Sequence, residues 1–285
     1  MKYVVAYLVL YLTTLGLLVR YEQFDFLEPL FALVLMGGGF TLIAWLLTRR
    51  SEPLPLSEPR RGILPYLLVV TAFVTWGLGA LPEAQPLRDI LAMVTKLLVF
   101  VAVPWILFDR AKPSLRMNRR DWMITIAMSA VLILFQFAFG RGPGVIADAH
   151  LPIGTLIAAI VFAFVWLAIE AGLVEEYFFR RLLQTRLEAL THSRAGGIVI
   201  TALLFGLVHA PGLYLRPSHT GEDFASPPSL LFAIGYAIVI LSPSGFFLGV
   251  LWTRTRNLAI VVAVHAATDL IPNVIELAQH FRIAR

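Results

Sequence analysis

Three short motifs in the C-terminal half of the chain carry side chains that can do acid–base chemistry. They are E-E-Y-F-F-R at residues 175–180, F-G-L-V-H at 205–209 and H-A-A-T-D at 265–269. Each lies within or at the end of a long apolar run, where an ionisable side chain costs roughly 2.5–3.5 kcal/mol on insertion scales and usually serves function. A glutamate there is suited to take a proton from water, and a histidine beside it can orient the same water. The motifs therefore predict an active site inside a membrane.

The spacing within each motif predicts which side chains share a helix face. Glu176 and Arg180 are four residues apart, an orientation that favours an ion pair. Glu175 is rotated from Glu176 by about 100° and points elsewhere. We therefore expect one carboxylate to be held in place while the other reacts. Two further pairs have the four-residue spacing, His265 with Asp269 and Phe205 with His209.

The composition predicts an all-α, polytopic integral membrane protein. Of the 285 residues, 59% are hydrophobic and 14% are charged, and the mean hydropathy is +0.80, whereas soluble domains are about 45–50% apolar. The net charge of +5 comes from basic residues in short loops, which act as topology signals, so nucleic acid is not an expected partner. The chain has no cysteine, which excludes a thiolate nucleophile and a disulfide framework.

Long apolar runs predict eight or nine membrane-spanning helices, since a span needs about 17–25 residues. The segment Ser242-Pro243-Ser244-Gly245 can break the eighth run, because proline removes a backbone donor and clashes with the preceding turn. Residues 180–194 predict a short interfacial helix or a connector between two spans. The first run has no small-residue cleavage site after it and is expected to be a retained signal anchor. The runs cover residues 3–19, 27–48, 63–81, 89–108, 121–139, 152–178, 197–215, 229–252 and 257–279.

Basic residues in the loops predict a cytoplasmic N-terminus in a cell (inner) membrane, because cytoplasmic loops carry an excess of Lys and Arg. Nine spans then put the C-terminal tail outside, the Pro-rich loop 51–59 inside and the loop 217–228 outside. Sixteen basic residues fall on the inner side: Lys2, Arg49, Arg50, Arg60, Arg61, Arg110, Lys112, Arg116, Arg119, Arg120, Arg180, Arg181, Arg186, Arg194, Arg254 and Arg256. Six fall on the outer side: Arg20, Arg88, Arg141, Arg216, Arg282 and Arg285.

This topology predicts a common membrane depth for the motif side chains. At 1.5 Å per helical residue, Glu175 lies roughly 7 Å from the inner end of its span, His265 about 12 Å, and His209 and Asp269 about 18 Å. All four occupy the cytoplasmic-to-middle part of the bilayer, although the motifs played no part in the choice of topology. An active site accessible from the cytoplasmic side follows.

With this order and depth, the three motifs resemble the CPBP family of intramembrane proteases. That family includes the Ras-converting type of CAAX prenyl endopeptidase and the bacterial bacteriocin-immunity (Abi) proteins. The resemblance covers residues 154–273; within one integrated membrane domain, residues 151–280 are the expected protease core, and 1–150 carry no matched motif. It implies an α-helical fold whose site opens toward the cytoplasm. It also implies an endopeptidase, with CAAX-type C-terminal processing as one form, that acts on a membrane-associated peptide or protein.

The resemblance also implies a role for each motif residue. Glu175 and His209 would activate the water, Glu176 and Arg180 would support the site together with Phe205, and His265 and Asp269 would stabilise the oxyanion.

One position departs from the family pattern, which commonly has asparagine where this chain has Asp269. An ionised carboxylate has no proton to donate to an oxyanion. Asp269 is therefore protonated, or orients His265, or binds a metal. Family nomenclature calls these enzymes metalloproteases, and histidines with carboxylates are proper zinc ligands, which makes His209, His265, Asp269 and Glu175 the candidate ligands. The zincin motif H-E-x-x-H is missing and a water activated by Glu175 and His209 needs no metal, so Zn²⁺ and no cofactor both stay open.

Three other functions compete with this interpretation. A rhomboid-like serine protease would use Ser244 with His265, but its G-x-S-G motif lacks the first glycine. A proton-coupled carrier would also place Glu, Lys and His at mid-membrane and use a broken helix, but no half-to-half repeat is visible. A non-proteolytic scaffold or immunity-type protein is the third. For Lys96 and Glu170, which are also intramembrane, a structural ion pair between two helices is expected, with snorkelling or lining of the cavity as alternatives.

Overall fold

A computed structural model of the chain describes residues 1–51, 62–108, 115–140, 142–216 and 227–283. Every regular secondary-structure element assigned in these ranges is a helix, which confirms the predicted all-α class. The loop predictions at 51–59 and 217–228, and six of the counted basic residues (Arg60, Arg61, Arg110, Lys112, Arg141, Arg285), lie largely or wholly outside the described residues. The helices are α1 (Lys2–Glu22), α2 (Leu27–Thr48), α3 (Ile63–Ala80), α4 (Leu87–Phe108), α5 (Arg119–Phe139), α6 (Gly142–Asp148), α7 (Ile153–Thr191), α8 (Arg194–Leu215), α9 (Leu230–Leu241), α10 (Ser244–Thr255) and α11 (Leu258–His280).

Eight of these helices are long and apolar enough to cross a membrane, and α9 with α10 adds a ninth if the bent pair is one span. The two helices meet at an angle of 47°, at the Ser242-Pro243 step where the sequence predicted a break. Ser244 donates its hydroxyl to the Leu241 carbonyl at 2.7 Å, which satisfies one acceptor exposed by the break. The span prediction is therefore confirmed, and the chain is an integral membrane protein.

Helix α7 is longer than a span requires. It runs for 39 residues, and its last part contains the segment in which the sequence predicted an interfacial helix or a connector. Leu182, Leu183 and Leu187 are buried there, and so are Arg180 and Arg186. Because the arginines are covered together with the leucines, this segment is the packed end of α7 and not a separate surface helix.

The described residues form two compact units. The first unit comprises Met1–Ala80 and Phe179–Arg256, and the second comprises Leu81–Phe178 and Asn257–Arg285. The chain crosses from one unit to the other at three points, and one of them lies within α7. The predicted division at residue 150, which was drawn from the motifs, stays a prediction.

In the second unit, α11 packs against α5 and the first part of α7. Small side chains such as Ala163 and Ala266 are fully buried in this core, so the helices approach closely. Gln136 of α5 makes two hydrogen bonds to the backbone of α11 near its middle. Its amide N–H donates to the Ala267 carbonyl at 2.8 Å, and its amide oxygen accepts a hydrogen bond from the Ile271 N–H at 3.2 Å. This pairing explains a glutamine in an apolar helix, because it satisfies backbone groups of α11 next to Pro272, where proline weakens the helix ladder.

In the first unit, a buried polar network joins the end of α7 to α10. Glu188 is fully buried and accepts from Gln184 Nε2 at 2.9 Å and from Thr253 Oγ1 at 2.6 Å. Its other oxygen pairs with Arg256. Gly197 of α8 lies so close that a Cβ there would meet Glu188 Cγ at 2.3 Å, so only glycine fits.

We expect Glu188→Ala to lower the free energy of unfolding by about 3–5 kcal/mol, because it removes one partner of a buried charge pair. The comparison is Glu83→Ala, which removes the exposed partner of Arg88 and should change stability by no more than about 1 kcal/mol. Thermal or denaturant unfolding of both variants in detergent checks this. Equal stability of the two variants would show that the network does not hold the fold.

Candidate active site

Four of the predicted site residues come together in the second unit around His265 of α11. We call Glu175, Glu176, His265 and Asp269 the His265 cluster. The Nδ1 atom of His265 lies 2.8 Å from Glu176 Oε1. Because an ionised carboxylate can only accept, Nδ1 carries the proton and donates it. Glu176 thereby fixes the orientation of the imidazole ring.

The second ring nitrogen of His265 faces the other two carboxylates. Nε2 lies 3.2 Å from Asp269 Oδ2 and 3.8 Å from Glu175 Oε2. A hydrogen bond to Asp269 needs one proton between the two atoms, held either by an imidazolium or by a protonated carboxyl group. Of the three roles that the sequence left open for Asp269, this contact fits the protonated carboxyl and the one in which Asp269 orients His265.

Exposure separates the carboxylates of the His265 cluster. The exposed fraction of the side chain is 0% for Glu176, 18% for Glu175 and 34% for Asp269, against 7% for His265. Glu176 is therefore a buried support, whereas Glu175 and Asp269 can be reached by water or substrate. The sequence predicted a held Glu176 and a reactive Glu175; the structure gives Glu176 a holding partner, His265, that the local spacing could not reveal.

The backbone of α7 is unusual on both sides of Glu175. Ala168–Leu173 and Glu176–Gln184 are π-helical, with hydrogen bonds from residue i to i+5, a geometry frequent at functional sites. Gly172 lies in the first of these segments, and a Cβ there would come within 2.8 Å of the Val262 carbonyl. Glycine therefore lets α7 approach α11 one turn before Glu175, which brings the two glutamates to His265.

The π-helical geometry also changes the expectation for Glu176 and Arg180. In an α-helix residues four apart share a face, but from Glu176 onward the wider turn removes that simple relation. The predicted Glu176–Arg180 ion pair therefore stays a prediction.

The other three predicted residues lie in the first unit. The Arg180 guanidinium lies over the Phe205 ring at 4.8 Å, within cation–π range, and Phe179 packs edge-on against the same ring. His209 Nδ1 lies 2.8 Å from the Phe205 carbonyl. Since a carbonyl can only accept, Nδ1 is the donor, and in the neutral ring the lone pair is on Nε2.

Local sequence explains the position of His209. It follows Arg194–Leu207, the long helical part of α8, and precedes the short helix Ala210–Leu215. Pro211 cannot donate to the carbonyl of Leu207 and its ring crowds that turn, so the helix is interrupted just before the proline. His209 thus lies at a helix break inside an apolar span, where its side chain can turn toward its own Phe205 carbonyl.

Two further polar contacts surround the His265 cluster in the second unit. Lys96 of α4 forms an ion pair with Glu170 of α7, which confirms the predicted pair. Asn273 donates to the Asp269 carbonyl at 2.7 Å and was not singled out in the sequence. Its four-residue distance from Asp269 is the signal that could have revealed it, because His265, Asp269 and Asn273 follow one another at every fourth position.

The predicted metal ligands do not form a metal site in the described part of the chain. No group of three or more His, Asp or Glu side chains there is arranged to hold a metal ion. Among the four candidate ligands, His265 has both ring nitrogens directed at carboxylate oxygens, so neither nitrogen is directed at a metal. Of the two alternatives that the sequence left open, zinc at His209, His265, Asp269 and Glu175 therefore does not fit the arrangement of the described residues.

Comparison with known proteins returned one family. Residues 157–271 match the family described as type II CAAX prenyl endopeptidase Rce1-like, and all seven motif residues lie in this segment. The matched segment covers less than half of the chain; over that segment it bears out the resemblance predicted from the motifs, and it supports a protease as the class of enzyme. No curated protein and no solved structure matched the chain.

Proposed function

We propose that the protein is an intramembrane endopeptidase that hydrolyses a peptide bond with a water activated by Glu175. The observation that carries the proposal is the His265 cluster, in which a buried Glu176 holds the histidine while Glu175 stays partly exposed 3.8 Å from Nε2. Buried ionisable groups inside membrane helices usually serve function. The family match adds the reaction class.

In the proposed reaction Glu175 takes a proton from water, and the oxygen attacks the carbonyl carbon of the peptide bond. The carbonyl oxygen becomes an oxyanion. When the carbon–nitrogen bond breaks, Glu175 returns the proton to the leaving amine. One water is consumed, and one carboxylic acid and one amine form.

We assign the stabilisation of the oxyanion to the Nε2–H group of protonated His265, which donates a hydrogen bond to it. A preorganised donor aimed at a developing charge is a large contribution to rate. Glu176 holds the ring through Nδ1, and Asp269 holds Nε2 until the oxyanion forms. In this assignment Asp269 is a positioning residue and donates no proton, which reconciles an aspartate with the family's asparagine.

The resemblance assigns His209 to the activation of the water together with Glu175. We therefore expect His209→Ala to lower kcat about 10²- to 10⁴-fold, the range for loss of a general acid–base group. Purified variants in liposomes give kcat, and the unfolding temperature shows whether the fold persists. The control is His192→Ala in the turn between α7 and α8, which should leave kcat unchanged; a fully active His209→Ala would remove His209 from the mechanism.

CAAX-type processing of a prenylated C-terminus is the specific activity that the family description points to, with the site reached from the cytoplasmic side of an inner membrane. The test uses purified protein in liposomes and two peptides with the same C-terminal CAAX sequence, one prenylated and one not. Cleavage of the prenylated peptide alone, after its cysteine, supports this substrate class. Equal cleavage of both peptides supports a general membrane endopeptidase instead.

A further inference from the structure

The second unit contains a cavity of about 130 Å³, lined by both polar and apolar side chains, that none of the motifs accounts for. It lies beside the C-terminal part of α11, which the loop charges place toward the outer side. Polar side chains from three helices reach it, namely Asp89 of α4, Glu170 of α7, and Asn273, Glu276 and His280 of α11. The mechanism proposed above uses none of them.

The three polar α11 residues at the cavity belong to a row of polar side chains on α11 that begins at the His265 cluster; we call this row the polar line. His265, Asp269, Asn273, Glu276 and His280 are spaced by four, four, three and four residues, which places them along one face of α11. The line covers about 22 Å of helix at 1.5 Å per residue. Along it Asn273 bonds to the Asp269 carbonyl, and His280 Nδ1 lies 2.9 Å from Asp89 Oδ2. Many neighbouring side chains of α11 are buried in apolar packing, and an uninterrupted polar face on such a span is unusual.

We infer that this cavity is filled with water and forms a second inlet, through which water from the outer side reaches the His265 cluster along α11. The inference rests on the proposed hydrolysis, which consumes one water per bond cut. If the substrate enters the site from the cytoplasmic side of the membrane, it blocks water from that side. The site therefore needs water that arrives by another route.

Volume and chemistry both favour water as the occupant. At roughly 30 Å³ per molecule, a cavity of this size has room for about four waters, and each needs two to four polar partners. Carboxylates, an amide and an imidazole provide those partners. The acidic groups are already neutralised in part, since Glu170 pairs with Lys96 and Asp89 with His280, which leaves hydrogen-bonding capacity without a strong excess of charge.

The absence of cysteine from the sequence allows a direct test by cysteine labelling. Ala92 of α4 lines the cavity, and Val94, two residues further along the same helix, is 42% exposed on another face. In vesicles treated from the outer side with a charged methanethiosulfonate reagent, Ala92→Cys should react at least about 10-fold faster than Val94→Cys, because the reactive thiolate requires water. Equal rates, or reaction of Ala92→Cys from the cytoplasmic side only, would overturn the inlet.

The supply of water is tested with the same Ala92→Cys protein. A bulky charged adduct should lower kcat about tenfold with KM unchanged, whereas the small methylthio adduct should have little effect. Full activity after complete bulky labelling would show that the cavity does not feed the reaction. The labelling rates need no catalysis, so they decide whether the cavity is hydrated even if the proposed peptidase activity proves wrong.

Discussion

Glu175→Gln lowers kcat about 10²- to 10⁴-fold in the proposed mechanism, because the amide has nearly the same shape but cannot take a proton from water. KM should change little, since the carboxylate acts on water and not on the bound peptide. The measurement is hydrolysis by purified protein in liposomes over a range of peptide concentrations. The unfolding temperature should match that of the unmodified protein, as Glu175 is partly exposed.

The neighbouring substitution Glu176→Gln is the matched control. The amide oxygen of glutamine can still accept the Nδ1–H of His265, so the ring keeps its orientation and loses only the charge of its partner. We therefore expect a smaller loss of kcat than for Glu175→Gln. The opposite order, with Glu175→Gln fully active and Glu176→Gln inactive, would exchange the roles assigned to the two glutamates.

The second large effect concerns stability. His265→Leu should lower the free energy of unfolding by about 3–5 kcal/mol, because it takes the donor from a carboxylate that is fully buried. The fully buried Glu176 is 2.8 Å from that donor, and burial of a charge without its hydrogen-bond partner is strongly unfavourable. Denaturant unfolding in detergent, monitored by circular dichroism, measures the loss.

A double variant separates packing from chemistry. Adding Glu176→Leu to His265→Leu removes both members of the pair, and replacement of a buried ion pair by apolar residues is often neutral or stabilising. We therefore expect the double variant to regain most of the stability but none of the activity. If His265→Leu alone unfolds like the unmodified protein, the contact with Glu176 does not hold α7 to α11.

The membrane-spanning helices could be predicted from the sequence because the membrane imposes a simple rule. A span needs a long apolar run, and such a run is visible without any knowledge of packing. Pro243 likewise predicted the break between α9 and α10, because the proline ring and the missing N–H interrupt a helix locally. These are local effects, and the structure agrees with them.

The partner of Glu176 could not be predicted because it lies 89 residues away. Spacing along one helix offered only Arg180, a pairing that stays a prediction because the stretch is π-helical and not α-helical. Gln136 was overlooked for a related reason, since its role depends on backbone groups near Pro272 of another helix. Sequence motifs thus identified the reactive side chains, whereas the contacts that orient them are tertiary.

The most direct test of the central claim compares the peptide ends produced by the protein and by Glu175→Gln. Each purified protein is reconstituted with solubilised membrane proteins as substrates, and new N- and C-termini are identified by mass spectrometry. The proposed mechanism predicts a set of new termini with the unmodified protein that is absent with Glu175→Gln. The same termini in both samples, or no new termini with the unmodified protein, would contradict an intramembrane peptidase that works through Glu175.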